Sequence, residues 1–417
     1  MKKILIAAAC MTCCGGIRAQ IVNPGNVARD AGTSRVNSNI NSGVNNAADK
    51  LDNGIKGLFS KKKKDGETGA QAQQATPGKA SGGAGENPSI RAYSNYDFVP
   101  GDRILFEDNF ADDQDGEFPA RWSLNAGQAV LNKMGGRDAF LLTNGNFARV
   151  SPLVKGKTYL SDTFTIEFDS YCTGGYGPHI YFFANTDDAA AGNSAIAQVN
   201  VNSGNNWSAV GVTSTANNLD LTGDYPADMT GEQYYNKWHH IAIAYRHNQL
   251  KVYIDQYRII TVPGLAASPR AFDIEGIGDA NTPVIMSNFR VANGGAMNMY
   301  TKKFTEAKIV THGINFDVDK SSIKPESMGT LNAIKSILTD NPGLRFEIDG
   351  HTDNSGATAH NLALSQQRAE AVKQQLMVMG IDAARLTTKG FGDSKPMSDN
   401  TTPEGKANNR RVEFIRL

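Results

Sequence analysis

The residues best suited to chemistry lie near the carboxyl end of the chain. A polar loop, His351-Thr352-Asp353-Asn354-Ser355-Gly356, leaves the dipeptide Asp349-Gly350 and is bounded by glycines on both sides. Asn361, Leu364, Ser365 and Arg368 follow at helical spacing, so Asn361 and Arg368 share one face two turns apart. If that helix packs beside the loop, Asp353 and Arg368 border one shallow pocket. Asp353 would accept charge-assisted hydrogen bonds from an ammonium, and the planar fork of Arg368 would grip a carboxylate. The pair therefore complements a ligand end that carries both charges. The plainer reading is a salt bridge between the two side chains that only stabilises the loop.

The elements that must position these groups begin near Lys302, where helical periodicity first becomes clear. Pro325 can open a helix carrying Leu331, Ile334 and Leu338, and Asn341-Pro342-Gly343 ends it. Leu344, Phe346 and Ile348 then alternate as a strand, a second helix runs over about 359–379 with Gly380 as its stop, and Val412 and Phe414 mark a last strand. This predicts an α+β unit over 300–417.

Three segments give this unit a family resemblance: INFDVDKSSIKP (314–325), GHTDNSGATAHNLALSQQRAEAVKQQLMVMG (350–380) and GFGDSKPMSDNTTPEGKANNRRVEF (390–414). Together they resemble the OmpA-like peptidoglycan-binding domain across nearly all of 305–417. The resemblance implies a βαβαβ fold that binds, without a covalent bond, the diaminopimelate side chain of the cell-wall stem peptide. It places the family's acid and arginine on Asp353 and Arg368, its helix-start asparagine on Asn361, and the first arginine of its terminal pair on Arg410. Thr352 and Leu364 complete the expected binding set.

The middle of the chain, 93–296, has a different texture: short β-rich runs at 103–106, 163–169, 179–184, 239–245, 250–255, 259–262 and 284–291, broken by Gly, Asn, Asp and Pro. Phe164, Ile166 and Phe168 alternate, as do Ile241 with Ile243 and Val252 with Ile254, so each strand is expected to bury one face of a two-sheet sandwich. Arg246-His247-Asn248-Gln249 fits a hairpin turn. FEDNFADDQDGEFPARW (106–122), YYNKWHHIAIAYRHNQLKVYIDQYRIITVPG (234–264) and IMSNFRV (285–291) resemble the laminin-G and concanavalin-A-like lectin/glucanase sandwich. That resemblance implies an all-β jelly-roll fold. Glu167 and Asp169 point the same way on one strand, but Tyr171 stands where the related glycosidases carry their second glutamate, so no enzyme is expected. Trp207, Tyr176 and Tyr225 are candidates for glycan contact, while Trp122 and Trp238 read as core. Asp112, Asp113 and Asp115, flanked by Asp108 and Glu117 at Gly116, are a weak calcium candidate, with a solvated turn as the plainer reading. Adjacent His239 and His240 should point to opposite faces, which argues against a shared metal.

The whole chain has 417 residues, with 42 Lys plus Arg against 42 Asp plus Glu. A net charge of zero removes the usual electrostatic basis for nucleic-acid binding. Lys2 and Lys3, an apolar run from Ile4, and Ala19-Gln20 read as a secretory signal over 1–19, and no later window is long and apolar enough to span a membrane. Cys10, Cys13 and Cys14 lie in that leader, where a lipid-anchored cysteine is the alternative; Cys172 is then the sole remaining thiol, so no intramolecular disulfide is expected. Residues 20–92 read as a low-complexity arm, yet Gly32, Gly43 and Gly54 recur every 11 residues beside an amphipathic 4-4-3 pattern from Val36 to Leu58. Lys61 to Lys64 follow, and whether this helical stretch is a linker, a self-associating bundle or a membrane-surface helix stays open. The chain thus reads as an exported, periplasmic, non-enzymatic and cofactor-free protein that ties the outer membrane or an envelope partner to peptidoglycan. The alternative is a carbohydrate-binding envelope lectin or adhesin acting through the sandwich.

Overall fold

A computed structural model describes residues 92–93, 96–143, 147–190, 194–203, 207–276, 282–295 and 304–417. The leader over 1–19 and the helical repeats of the arm lie outside the described residues.

In chain order the first strands are β1 (Arg103–Asp108), β2 (Trp122–Ala126), β3 (Gln128–Met134), β4 (Arg137–Thr143), β5 (Ala148–Pro152), β6 (Thr163–Cys172), β7 (Pro178–Phe183), β8 (Ala197–Ser203), β9 (Ala209–Ser214), β10 (Leu219–Asp224), β11 (Lys237–Arg246), β12 (Gln249–Ile254), β13 (Tyr257–Val262), β14 (Ala271–Gly276) and β15 (Val284–Asn293). They form two antiparallel sheets. One runs β13-β12-β11-β6-β15-β4-β3, with β1 also pairing with β15; the other runs β10-β9-β8-β7-β14-β5-β2. Phe164, Ile166, Phe168, Ile241, Ile243 and Val252 of the first sheet share one apolar core with Ile180, Phe182, Val199, Val212 and Ile274 of the second. Each such side chain taken from water contributes about 1.5–3 kcal/mol. All seven predicted runs are strands, and β11 turns into β12 through His247 and Asn248, both at positive φ, with Arg246 paired to Gln249.

The expectation that each strand buries one face is corrected in the first sheet. Its outer face is covered too, and residues that alternate with the first core enter a second. Ala242 and Ala244 of β11 and Tyr253 of β12 join Tyr93, Tyr96 and Phe98 and the apolar side of the C-terminal helix α2 (Met328–Asp340). The two alanines leave room for the large rings, and Tyr253 meets Tyr96 and Phe98 edge-on at 5.5 and 5.4 Å between centroids. Gly329 is required here, since a Cβ at that position would strike the Phe98 carbonyl.

The short helix α1 (Thr186–Ala190) sits beside β7; α2, α3 (Thr358–Val378) and α4 (Pro403–Asn409) belong to the C-terminal portion with β16 (Lys308–Thr311), β17 (Phe346–His351), β18 (Leu386–Gly392) and β19 (Val412–Arg416). The sheet order is β16-β19-β17-β18, with β17 and β18 parallel and the other pairs antiparallel. The expected βαβαβ run is therefore followed by α4 and by β19, which inserts in the middle of the sheet. Asn408 of α4 ties this portion to β1 by bonding both the N–H and the carbonyl of Ile104 at 3.1 Å. An Arg121–Glu404 ion pair adds to that seam. The described residues form one compact unit.

Candidate functional site

The parallel pair β17 and β18 delivers the polar loop. His351 N–H donates to the Arg411 carbonyl and Thr352 N–H to that of Gly392, both at 3.0 Å, so the chain leaves β17 anchored on two sides. Helix α3 then returns across the strand ends. It can do so because Gly350 and Gly390 lack side chains: a Cβ on either would collide with the α3 backbone at Ser365 or Gln366.

Asp353 is buried at the loop's start. Its Oδ1 accepts the Ser355 N–H at 2.9 Å and its Oδ2 accepts Arg410 Nη1 at 2.7 Å. Burial alone would raise the carboxyl's pKa, but the bonds from Arg410 and Ser355 and the arginine charge outweigh it and hold it below the usual carboxylate range. A group depressed in the folded state contributes stability above its unfolded value and loses it as pH falls through the folded one. A carbon-13 titration of the Asp353 carboxyl is accordingly expected to show a midpoint below about 3.9. A midpoint at or above that value would mean that burial dominates.

Asn361 in the first turn of α3 fixes the loop by donating from Nδ2 to the Asp353 carbonyl at 3.3 Å. Two turns on, Arg368 donates from Nε to the Lys320 carbonyl at 2.9 Å and from Nη2 to the Asp317 carbonyl at 3.4 Å, with its guanidinium 4.9 Å from the Phe316 ring centroid. Among the described residues no carboxylate forms an ion pair with it. The salt bridge between Asp353 and Arg368 entertained from sequence is absent; Arg410 takes the aspartate and leaves the Arg368 charge unneutralised. Burial and the like charge of Arg410 both lower the Arg368 pKa.

All six sequence-predicted residues, Thr352, Asp353, Asn361, Leu364, Arg368 and Arg410, line one cavity of about 710 Å³. It extends beyond the loop-and-helix pocket expected, because Glu107, Glu167, Asp169, His240 and Arg290 of the first β-sheet also line it. None of these was identified as part of a binding site from sequence. Arg410 Nη2 reaches Glu107 Oε1 at 2.5 Å, across 303 residues of chain, and no local spacing signals such a contact.

The other candidates disperse. Asp112 and Asp115 are exposed, Asp113 accepts the Ala120 N–H at 3.0 Å, and among the described residues no three acidic, His or Cys side chains group to hold a metal ion. Tyr225 is a correction: it is buried rather than exposed, donating to Asn202 Oδ1 at 2.7 Å. Tyr176 and Trp207 do meet at an accessible edge, 4.0 Å between centroids. Trp122 is core, whereas Trp238 is only half-buried, under Arg137. The adjacent histidines diverge: His239 bonds Asp255 and the Tyr234 carbonyl, and His240 bonds Asp169 on the cleft side. No helix among the described residues is long and apolar enough to cross a membrane.

Comparison with known proteins matches residues 315–410 to the OmpA family. The chain is 44% identical over 100 residues to outer membrane porin F of Pseudomonas fluorescens, covering 24% of this chain and 31% of that protein. It is 39% identical over 103 residues to the probable lipoprotein YiaD of Escherichia coli, covering 25% and 47%. With the peptidoglycan-binding protein ArfA of Mycobacterium bovis it shares 40% identity over 107 residues, covering 25% and 33%. The chain thus spans less than half the length of each of these relatives. Matched across the loop, the helix and Arg410, which build the cleft, residues 315–410 are an OmpA-family domain at the C-terminal end of this chain.

Proposed function

We propose that this chain is a non-enzymatic envelope protein whose C-terminal domain binds peptidoglycan non-covalently by the diaminopimelate end of its stem peptide. The observation that carries this is the cleft itself, which presents the carboxylate of Asp353 and the unneutralised guanidinium of Arg368 from a loop and a helix fixed beside each other. The ligand's ammonium would compete with Arg410 for Asp353, and its carboxylate would take the fork of Arg368. Asn361 holds the loop, and Thr352, Leu364 and Arg410 border the bound end. One relative is named for peptidoglycan binding and another as an outer-membrane porin, which supports an envelope location and a wall-anchoring role. Export by the 1–19 leader and attachment of the outer membrane or an envelope partner through the arm or the sheets complete this reading. Many weak contacts along the wall would give retention by avidity.

The sandwich is read as laminin-G or concanavalin-A-like, and the Tyr176–Trp207 edge keeps glycan binding as the second reading. Co-sedimentation of the full chain with purified sacculi tests the first, beside a glycan array that tests the second. Retention at physiological ionic strength that free diaminopimelate competes away is the expected result. A chain left in the supernatant, or one retained only by glycans, overturns the proposal.

A further inference from the structure

The cleft has a wall that the OmpA-family domain does not supply. Its charged members on the first sheet are Glu107, Asp108, Glu167, Asp169, His240 and Arg290: four carboxyls against two cations. On the opposite wall, leaving histidines aside, lysine and arginine equal aspartate and glutamate in number. Burial opposes charge on the His240 ring, but its Nδ1 bond to Asp169 and the Glu167 carboxylate, 3.4 Å from Nε2, keep it protonated well above its ordinary value. Arg290 is likewise engaged, with Nε at 3.2 Å from Glu107 Oε2. The same Glu107 holds Arg410, which holds Asp353, so the sheet wall is fixed directly to the proposed ammonium-binding carboxylate.

Six buried polar atoms on this lining have no hydrogen-bond partner: Glu167 Oε1 and His240 Nε2 on the sheet wall, and His312 Nδ1, both ring nitrogens of His351 and Thr352 Oγ1 on the other. Glu167 is 4% exposed and Thr352 6%. A buried acceptor without a donor is costly, and it marks where a ligand donor is missing. The cavity, at about 710 Å³, also lies within the ~300–1,000 Å³ of sites that enclose a whole drug-sized molecule. It has room for more of a stem peptide than the zwitterionic end.

We propose that the β-sheet portion is the second wall of the binding site and makes it selective for stem peptides that turn N–H donors, and not carboxylates, toward it. Amidated stem peptides then bind more tightly than their free-acid counterparts. An amide supplies the donor that Glu167 Oε1 lacks, whereas a carboxylate there meets the negative charge of Glu167 and Asp169 with Arg290 and Arg410 already committed to Glu107. This inference rests on murein being the ligand.

The test is calorimetric titration of the full chain with two muropeptides that share a free diaminopimelate end and differ only in amidation of their other carboxyl groups. The amidated form is expected to bind about five-fold tighter. Asp169→Asn and Glu167→Gln should each bring that ratio toward one, while Asp353→Asn weakens both ligands alike. Asn288→Asp, at an exposed wall position, replaces the donor that Asn288 Nδ2 gives Asp169 Oδ2 at 2.7 Å with a further carboxylate; it should raise the ratio and serves where a buried substitution unfolds the protein. Equal affinities, a preference for the free acid, or a ratio unmoved by every wall variant overturns the inference while leaving murein binding standing. Failure of both muropeptides to bind removes the murein reading and this inference with it.

Discussion

Arg368→Ala is expected to weaken binding of free diaminopimelate on the order of thirty-fold, about 2 kcal/mol, because it deletes the one cationic fork in the cleft whose charge is unspent on a carboxylate. The size of the effect follows from burial: a ligand carboxylate drawn into the cleft loses water and must be met by a matching donor pair. Arg368→Lys is the informative companion. It keeps the charge but not the planar fork, and should recover only part of the affinity. The wild-type bonds from Arg368 to the Lys320 and Asp317 carbonyls mean that either variant also loosens the facing loop. Thermal unfolding of the apo protein separates that loss from lost ligand contact, since a loosened exposed loop costs little global stability. Calorimetric affinity within two-fold of wild type for Arg368→Ala would remove the arginine from the site.

The second large effect concerns the seam on which the cleft depends. Phe98→Ala should destabilise the protein by about 3–5 kcal/mol, the usual range for truncating a buried phenylalanine. Phe98 is fully buried where Tyr96, Tyr253 and helix α2 converge, and its carbonyl lies against Gly329. The cavity left there lies between the first sheet and α2, so denaturant unfolding is expected to separate into two transitions as the C-terminal portion loses its support. Phe98→Leu, which keeps most of the volume, should cost under about 1.5 kcal/mol and retain one transition. A stability loss for the alanine variant below about 1 kcal/mol, measured by urea titration, would show that the seam is not a packed core.

The legible parts of the fold are those with a strong local period. Phe164, Ile166 and Phe168 alternate because β6 turns every second side chain to one core, and Leu331, Ile334 and Leu338 recur because α2 lays one stripe on another. Two strands outside the predicted runs carry their alternation on small or polar residues. Ala197–Ser203 reads AQVNVNS and Ala209–Ser214 reads AVGVTS, compositions that suit a loop until pairing buries them. β18 was missed for a related reason: Gly390 and Gly392 look like breakers but are needed where α3 crosses the strand. The misplacement of Tyr225 has the same origin, since Asn202 and Tyr234, which bury it, come from elsewhere in the sheets.

The juxtaposition of loop and helix could be read directly from the chain, because Asp353 precedes the helix by a few residues and helical geometry alone sets the shared face of Asn361 and Arg368. Folding supplied the partner of Asp353, which is Arg410 at a separation of 57 residues, and the tie from Arg410 to Glu107 at 303. It also supplied the acidic wall. Residue periodicity records only whether a face is apolar, and the face of β6 and β11 that carries Glu167, Asp169, Ala242 and Ala244 gives no sign of what will cover it. That was decided when the rings of Tyr96 and Phe98 filled the space beside the alanines and drew α2 against the sheet, turning a surface row of carboxylates into one side of a cleft.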